Sequence, residues 1–219
     1  MVEFLNHSIH AALFDLDGVI FDTEPQYTVF WQNIFDEYYP ESVGMADKIK
    51  GQTLVQIFDK YFPGMTADQE MITARLNEYE QRMHFEYIPG CMDFIRYLRN
   101  SSVKTAVVTS SNQAKMQNVY REHPELNSLF DSILTSEDFS RSKPDPDCYL
   151  KGAERLHVPT GHCLGFEDSF NGLRSVRSAG MHVVGLATTN SSEAIAPFCD
   201  LVINDYTELR ANGARLDAK

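Results

Sequence analysis

The chain has 219 residues, of which 43% are hydrophobic, and it carries a formal net charge of −12 at pH 7. That length suits one α/β domain with an inserted element, or two small domains. The acidic balance argues against nucleic acid as a partner, because proteins that bind it neutralise phosphates with lysine and arginine, and no apolar run reaches the roughly 18 residues of a membrane span.

Short apolar runs typical of buried strands recur along the chain and alternate with stretches of helical periodicity. The predicted strands are 11–14, 105–108, 133–134, 163–166, 182–186 and 201–203. Such an alternation indicates a parallel sheet joined by right-handed helical crossovers. We therefore predict an α/β fold with helices on both faces of the sheet.

One interval interrupts this alternation with helices alone. Between Thr23 and Ile88 the sequence shows no convincing strand. The predicted helical stretches there are 24–38, 53–61 and 66–84. The last one opens with Thr66-x-x-Gln69, a capping-box pattern.

The helical insertion follows directly after an acidic loop at the end of a predicted strand. Ligands of open α/β sheets bind at this edge, so we predict that the insertion covers a binding site. The predicted cap domain spans 23–88, and the predicted core domain comprises 1–22 and 89–219. We expect hinges near residues 22–24 and 88–90. A helical decoration remote from the site is the alternative.

The strongest indication of function is the stretch LFDLDGVIFDT at residues 13–23. Asp15 and Asp17 point to the same side of an extended segment, so their like charges lie close together. A hard cation such as Mg²⁺ prefers oxygen ligands and would relieve this repulsion, while leaving a carboxylate oxygen free to attack. The alternative is a solvated pair of aspartates, with Asp17-Gly18 serving as turn residues.

A second polar strand end follows the apolar run at 105–108. Thr109, Ser110, Ser111 and Asn112 offer hydroxyls and backbone N–H groups ahead of a predicted helix. Such a segment can bind phosphate oxygens. For Ser111 and Asn112 the alternative role is that of a helix N-cap, whereas the position of Thr109 nearest the strand end favours a functional role.

Two further segments place charged residues near strand ends. Lys143, in SKPDP, precedes a rigid turn and can supply a counter-charge for phosphate oxygens and for a nucleophilic aspartate, with a solvated surface lysine as the alternative. Glu167 and Asp168, in GFEDSFNG, end another buried strand and can complete an oxygen shell for a cation. Capping of the following helix is the alternative for this acidic pair.

Together these four segments resemble the haloacid dehalogenase superfamily, in its phosphatase and phosphomutase branch with a helical cap. The resemblance implies a Rossmann-like core in which Asp15 attacks phosphorus and Asp17 acts as general acid and base. It also implies Mg²⁺ held by the Asp15 carboxylate, the Asp17 backbone carbonyl and Asp168. Glu167 would lie in or near that shell, and Thr109 and Lys143 would bind the transferring phosphoryl group.

The first motif and the cap distinguish reaction types within the superfamily. Dehalogenases lack an acid at the position of Asp17, so this chain is expected to act on phosphorus. At the position where β-phosphoglucomutases carry a histidine in the first cap helix, this chain has Tyr27. β-Phosphoglucomutases also carry an arginine a few residues after a Lys-Gly pair, and no arginine stands there after Lys50-Gly51. We therefore expect a phosphatase for a small phosphorylated metabolite, with a phosphomutase as the alternative, because a second phosphate calls for bidentate cations.

Several cap residues are candidates for contact with the substrate, and ordinary cap packing or solvent exposure is their alternative role. They are Glu24, Tyr27, Trp31, Lys48, Lys50 and Gln52. Sugar phosphates, phosphoglycolate-like acids and nucleotides all remain open as substrates.

The start of the chain and the cysteines bear on the cellular compartment. Glu3 and a short apolar patch do not match the basic start and long apolar region of a signal peptide, so we expect a cytoplasmic protein. The cysteines show no C-x-x-C spacing that could hold zinc, and we predict reduced thiols in or near the core. We also expect a monomer.

Overall fold

The computed structural model describes residues 2–50, 52–212 and 215–218. Its strands are β1 (Val2–Phe4), β2 (His7–Ile9), β3 (Ala11–Phe14), β4 (Lys104–Val108), β5 (Ser132–Leu134), β6 (Cys163–Glu167), β7 (His182–Leu186), β8 (Leu201–Ile203), β9 (Leu209–Asn212) and β10 (Arg215–Ala218). Its α-helices are α1 (Glu24–Tyr38), α2 (Met45–Lys48), α3 (Leu54–Tyr61), α4 (Thr66–Glu80), α5 (Cys91–Asn100), α6 (Gln113–Glu122), α7 (Leu126–Leu129), α8 (Asp147–Leu156), α9 (Phe170–Ser178) and α10 (Ser192–Ile195).

A six-stranded parallel sheet with the order β5-β4-β3-β6-β7-β8 forms the centre of the molecule. In this sheet β3 lies between β4 and β6, and Phe14 is in register with Val107 on one side and Phe166 on the other. The predicted parallel α/β fold is confirmed. The residues that follow these three strands consequently leave the sheet side by side at one edge.

Both faces of the sheet are covered, because successive side chains of β3 point to opposite sides. On one face Phe14 stacks on Phe166 with ring centroids 4.6 Å apart, and Phe94 packs edge-on against this pair. On the other face Leu13 belongs to a buried cluster that includes Leu173. The strand that carries the first acidic motif is therefore fixed from both sides.

The inserted helices α1 to α4 have a hydrophobic cluster of their own. It contains Phe30, Ile34, Phe35, Phe62 and Ile72, all of which are buried. The third predicted helix was expected to reach residue 84, but α4 ends earlier. The division into a cap domain at 23–88 and a core domain at 1–22 and 89–219 stays a proposal.

The predicted capping box at Thr66 is wrong. Helix α4 has Met65 as its N-cap and no side-chain cap, and the side chain of Gln69 instead donates to a backbone carbonyl at 2.8 Å. The capping box forms one helix earlier, at α3. There the Gln56 backbone N–H donates to Thr53 Oγ1 at 3.3 Å, and the Thr53 N–H donates to Gln56 Oε1 at 2.9 Å.

A second sheet, with the order β2-β1-β10-β9, was not predicted. Strand β1 pairs antiparallel with β2 and parallel with β10. Three-residue strands such as β1 and β2 are too short to show the alternating pattern that reveals longer ones.

The cysteines and the helix lengths bear on the expected compartment. All four cysteines are free, and Cys91, Cys148 and Cys163 are buried, as predicted. Within the part of the chain that is described, no helix has both the length and the apolar character that crossing a bilayer demands. The cytoplasmic location and the monomeric state stay predictions.

Candidate active site

The four predicted motif segments meet at the carboxyl edge of the central sheet. They border a cavity of about 410 Å³ between the sheet and the helical insertion. The predicted site residues that line it from the core are Asp15, Asp17, Thr109, Ser110, Ser111, Asn112, Lys143 and Asp168. Sheet order explains this convergence, because β4, β3 and β6 are neighbours in space although they are distant in sequence.

Lys143 lies at the centre of a buried ion-pair cluster. Its Nζ is 2.9 Å from Asp15 Oδ1 and 2.6 Å from Glu167 Oε1, and it donates to the Val108 carbonyl at 3.1 Å. Glu167 also accepts a 2.8 Å hydrogen bond from the Tyr149 hydroxyl. Burial would lower the pKa of Lys143, but the adjacent carboxylates outweigh it and raise that pKa well above its usual value. The lysine is therefore a fixed positive charge beside Asp15.

Three of the four predicted metal ligands have carboxylates that lie close together. One oxygen each of Asp15, Glu167 and Asp168 lies within 4.8 Å of the others. Burial, with the nearby Glu167 and Asp17, raises the pKa of Asp15 to about 7 against the opposing effect of Lys143. Burial and the charges of Glu167 and Asp15 raise the pKa of Asp168 well above its usual value. The buried carboxyl groups of Glu167 and Asp168 and the partly buried one of Asp15 form an oxygen donor set that fits a hard divalent cation such as Mg²⁺.

The two acidic residues after Phe166 are held in place by close packing. The Thr189 hydroxyl donates to Asp168 Oδ2. Gly18 has a φ of +69°, and a Cβ added there would lie 2.1 Å from Asp168 Oδ2. A Cβ added at Gly172 would lie 2.0 Å from the Glu167 carboxylate oxygens. Both glycines thus leave room for an acidic group to approach the backbone.

The Asp17 side chain lies outside this acidic group and has partners of its own. Both of its oxygens contact Lys115 Nζ, at 2.6 and 2.5 Å. The Thr23 hydroxyl donates to Oδ1 at 2.6 Å and the Ser111 hydroxyl to Oδ2 at 3.1 Å. Burial would raise the pKa of Asp17, but Lys115 and these hydroxyls stabilise the anion and lower it.

Lys115 and Glu80 are site residues that the sequence reasoning missed. Lys115 Nζ lies 4.7 Å from the centre of the Tyr27 ring, and the Tyr27 hydroxyl donates to Glu80 Oε1 at 2.8 Å. Both Lys115 and Glu80 are buried and line the cavity. Burial raises the pKa of Glu80. Neither residue belongs to a motif, so local sequence carried no signal for them.

The segment after β4 runs along the edge of the cavity and leads into α6. Thr109 is buried, and its Oγ1 accepts a 3.0 Å hydrogen bond from the Ser111 backbone N–H. Ser110 is exposed at the edge of the cavity. Asn112 is the N-cap of α6, and its side chain accepts from the Lys115 N–H at 2.9 Å. The capping alternative therefore holds for Asn112.

The helical insertion contributes the opposite wall of the cavity. The predicted cap-side residues that line it are Glu24, Tyr27, Trp31, Lys50 and Gln52. Lys48, also a candidate, is exposed and is not among the described residues that line the cavity, so the structure does not bring it to the site. Helix α2 directs its buried residues Met45 and Ala46 to the cap core, and that orientation leaves Lys48 on the outside.

The electrostatics of this cap-side wall are mainly acidic. Burial, together with the charge of Asp17, raises the pKa of Glu24 to about 7. Lys50 forms an ion pair with Asp47 at 2.9 Å. The positive charge that the cap brings to the cavity through Lys50 is thus already balanced by a neighbouring carboxylate.

A comparison with protein-family models identifies the family of the chain. Residues 12–186 match the model described as haloacid dehalogenase-like hydrolase, so the chain belongs to that family. The match covers the strands and motif segments that border the cavity. The predicted family and the predicted hydrolase class are thereby confirmed.

Relatives and solved structures with different named activities resemble the chain over most of its length. Validoxylamine A 7′-phosphate phosphatase of Streptomyces hygroscopicus subsp. limoneus is 29% identical over 216 residues, which cover 91% of this chain and 95% of that protein. The β-phosphoglucomutase of Bacillus subtilis is 27% identical over 189 residues, covering 80% and 82%. A haloacid dehalogenase-type hydrolase of Entamoeba histolytica shares the fold, with a TM-score of 0.79, 22% identity and coverage of 94% and 97%.

Proposed function

We propose that the protein is an Mg²⁺-dependent phosphatase that hydrolyses a small phosphorylated metabolite, a sugar phosphate or a similar compound, through an aspartyl-phosphate. The observation that carries this proposal is the position of Asp15. Its carboxylate lies on the cavity wall, 2.9 Å from the Lys143 ammonium and within the acidic group that fits a cation. Phosphoryl transfer depends mainly on such positioning and charge neutralisation.

The proposed cation site includes three carboxylates that are already close together, those of Asp15, Glu167 and Asp168. Mg²⁺ would be held by the carboxylates of Asp15 and Asp168 and by the Asp17 backbone carbonyl, with Glu167 in or near the shell. When bound, it would neutralise charge on the phosphoryl oxygens. Lys143 adds a second positive charge on the same side, and Thr109 and Ser110 offer hydroxyl and N–H donors.

The proposed reaction has two half-reactions that use the same two aspartates. In the first, an Asp15 oxygen forms a bond to phosphorus while the bond to the leaving oxygen breaks. Asp17, which is ionised beside Lys115, takes the proton that enters with the phosphate monoanion and passes it to that oxygen. In the second, Asp17 accepts a proton from water while the water oxygen attacks the same phosphorus. The bond to Asp15 then breaks, Asp17 gives the proton from water to the departing inorganic phosphate, and both aspartates return to their ionised starting state.

The charge of the cavity wall supports a phosphatase over a phosphomutase. The described lysines that line the cavity are Lys50, Lys115 and Lys143, and each already forms an ion pair with a carboxylate. No arginine occurs among the described lining residues. A mutase must also bind a second phosphate at the cap, and a wall that contains Glu24 and Glu80 disfavours this. Relatives of both kinds exist, so the phosphomutase is the second candidate.

Hydrolysis of p-nitrophenyl phosphate tests the proposed chemistry. The purified protein should release p-nitrophenol and phosphate in the presence of Mg²⁺ and lose this activity with excess EDTA. Restoration of activity by added Mg²⁺ is the control for irreversible damage. Turnover that is unaffected by chelation, or no turnover with any metal, would contradict the proposal.

Glucose phosphates separate the two candidate reactions. The protein would be incubated with β-glucose 1-phosphate and a trace of the 1,6-bisphosphate. A phosphatase that accepts this sugar releases inorganic phosphate, whereas a mutase accumulates glucose 6-phosphate. Accumulation of glucose 6-phosphate would reverse our preference, and a screen of phosphorylated metabolites would then rank the substrates of the favoured reaction.

A further inference from the structure

Lys115 connects the core motif to both long helices of the insertion. It is the third residue of α6, and its side chain is 3% exposed. On the core side its ammonium contacts both oxygens of Asp17. On the cap side it faces the ring of Tyr27 from α1, and Tyr27 donates to Glu80 at the end of α4.

These contacts restrict where the Asp17 carboxylate can lie. Thr23 and Ser111 each donate to one of its oxygens, while Lys115 contacts both. A buried ammonium at this distance forms a charge-assisted hydrogen bond, which is stronger than a bond from a hydroxyl. Lys115 therefore makes the strongest of the side-chain contacts that fix this carboxylate.

The cap-side contacts in turn restrict Lys115. Its four-carbon stem is flexible, so a buried ammonium needs surroundings that define its position. The Tyr27 ring supplies a cation–π contact, and the carboxylate of Glu80 attracts the same charge. When the cap helices pack against the core, Tyr27 and Glu80 thus complete the surroundings of Lys115, which holds Asp17.

We propose that Lys115 is a positioning residue for the reaction: it places the Asp17 carboxylate for proton transfer, and it does so fully only when Tyr27 and Glu80 are seated against it. This inference rests on the proposed phosphatase function. Lys115 acts through Asp17 and makes no bond to phosphorus. A misplacement of about 1 Å is enough to cost up to about 100-fold in rate.

A double-mutant cycle between Lys115 and Asp17 tests the proposal, with p-nitrophenyl phosphate as substrate. Lys115→Met should lower kcat about 10- to 100-fold and change KM less than about threefold. Asp17→Asn should lower kcat about 10²- to 10⁴-fold. In the Asp17→Asn background, Lys115→Met should cause no further loss beyond about twofold, because the carboxylate that it places is gone.

Further variants separate positioning from simple damage to the fold. Lys115→Arg keeps the charge and should recover a measurable part of the lost kcat. Lys104→Met is the matched control, since the Lys104 ammonium binds the Leu156 carbonyl at 2.6 Å on a strand end remote from the cavity, and kcat should be unchanged. Glu80→Gln alone should lower kcat less than Lys115→Met does. The double variant of Glu80→Gln and Lys115→Met should have the same kcat as Lys115→Met alone.

The outcomes distinguish this proposal from the proposed function. A wild-type protein without phosphatase activity would overturn both. An active wild type whose Lys115→Met and Asp17→Asn losses simply multiply would overturn the positioning role alone. A large rise in KM with unchanged kcat would do the same, because it would assign Lys115 to substrate binding. If Lys115→Met fails to fold, Lys115→Arg is used for the test instead. A lower kcat in the wild-type background, with no further loss in the Asp17→Asn background, supports the positioning role. Any other result contradicts it.

Discussion

Two buried lysines form ion pairs with the two aspartates that follow β3: Lys143 with Asp15, and Lys115 with Asp17. The two lysines differ in the residues that surround them. The Lys143 ammonium contacts core groups, with Asp15 and Glu167 as its ion-pair partners. Lys115 is equally buried, but it lies between Asp17 in the core and Tyr27 in the insertion. Under the proposed mechanism, the ammonium that organises the proposed nucleophile is held by core groups of the described chain, whereas the one that holds the proposed acid/base group also contacts the cap.

The largest expected effect comes from Asp15, the proposed nucleophile. Asp15→Asn should lower kcat by about 10⁴-fold or more, because an amide cannot form the acyl-phosphate. The change is nearly isosteric, so circular dichroism and thermal unfolding should show an intact fold. Phosphate release from p-nitrophenyl phosphate is the measurement. Retention of a substantial part of the wild-type rate would remove Asp15 from the centre of the mechanism.

The next largest effect is expected for Lys143, the lysine whose ammonium contacts core groups. Lys143→Met should lower kcat/KM by about 10²- to 10³-fold, since it removes a charge that faces the reacting group. It also leaves Glu167, which is fully buried, without its ammonium partner, and such a change destabilises a protein by about 3–5 kcal/mol. Unfolding by urea and steady-state kinetics measure the two effects.

The loss of activity in Lys143→Met is to be compared with the loss in Lys115→Met. Lys115→Met should cost less activity than Lys143→Met, because it acts only through Asp17. If the two variants had equal kinetic effects, the distinction between a core-organised nucleophile and a cap-dependent acid/base group would fail.

A matched pair of glycine variants tests the acidic group. Gly18 and Gly64 have φ values of +69° and +74°, so alanine costs each about 1 kcal/mol of stability for backbone strain. Of the two, only Gly18 would bring the added methyl group into collision with Asp168. Gly18→Ala should therefore raise the Mg²⁺ concentration for half-maximal activity about 10- to 100-fold. Gly64→Ala should leave it unchanged, and equal effects in both variants would contradict the assigned role of Asp168.

The smallest effect concerns the pH dependence of the cap side. The pKa of Glu24 is raised from 4.5 to about 7 in the folded protein, so the folded state binds the proton more tightly than the unfolded state. Stability should then fall as pH rises from about 4.5 to about 7 and level off above. Glu24→Gln removes the ionisable group and with it this loss of stability at higher pH.

The measurement for Glu24 is the difference in melting temperature between Glu24→Gln and the wild type, without added metal. That difference should be larger at about pH 8 than at about pH 5. A difference that is independent of pH, or larger at the lower pH, would show that burial does not oppose the charge of Glu24.

The two lysines also show what could be predicted from the sequence. Asp15, Lys143 and Asp168 follow or flank buried strands of a parallel sheet, and strand ends of such sheets meet at one edge. Their convergence was therefore predictable from local patterns. Lys115 lies 98 residues from Asp17 and within an amphipathic helix, where a lysine usually faces solvent. Only the packing of α6 against the insertion reveals its position.

The same reasoning explains the errors in local structure. The Thr66-x-x-Gln69 pattern satisfies the rule for a capping box, yet Gln69 donates to the Phe62 carbonyl instead. Thr53 and Gln56 satisfy the same rule and do form the box. A four-residue pattern permits both outcomes, and tertiary contacts decide between them.

The most direct test of the account is to identify the phosphorylated residue. The wild-type protein would be mixed with p-nitrophenyl phosphate and Mg²⁺, quenched in acid within one turnover, digested and analysed by mass spectrometry. We predict a single phosphoryl group on Asp15, formed and lost at rates compatible with kcat, and absent from Asp15→Asn. A phosphoryl group on another residue, or turnover with no phosphorylated protein at any quench time, would contradict the account.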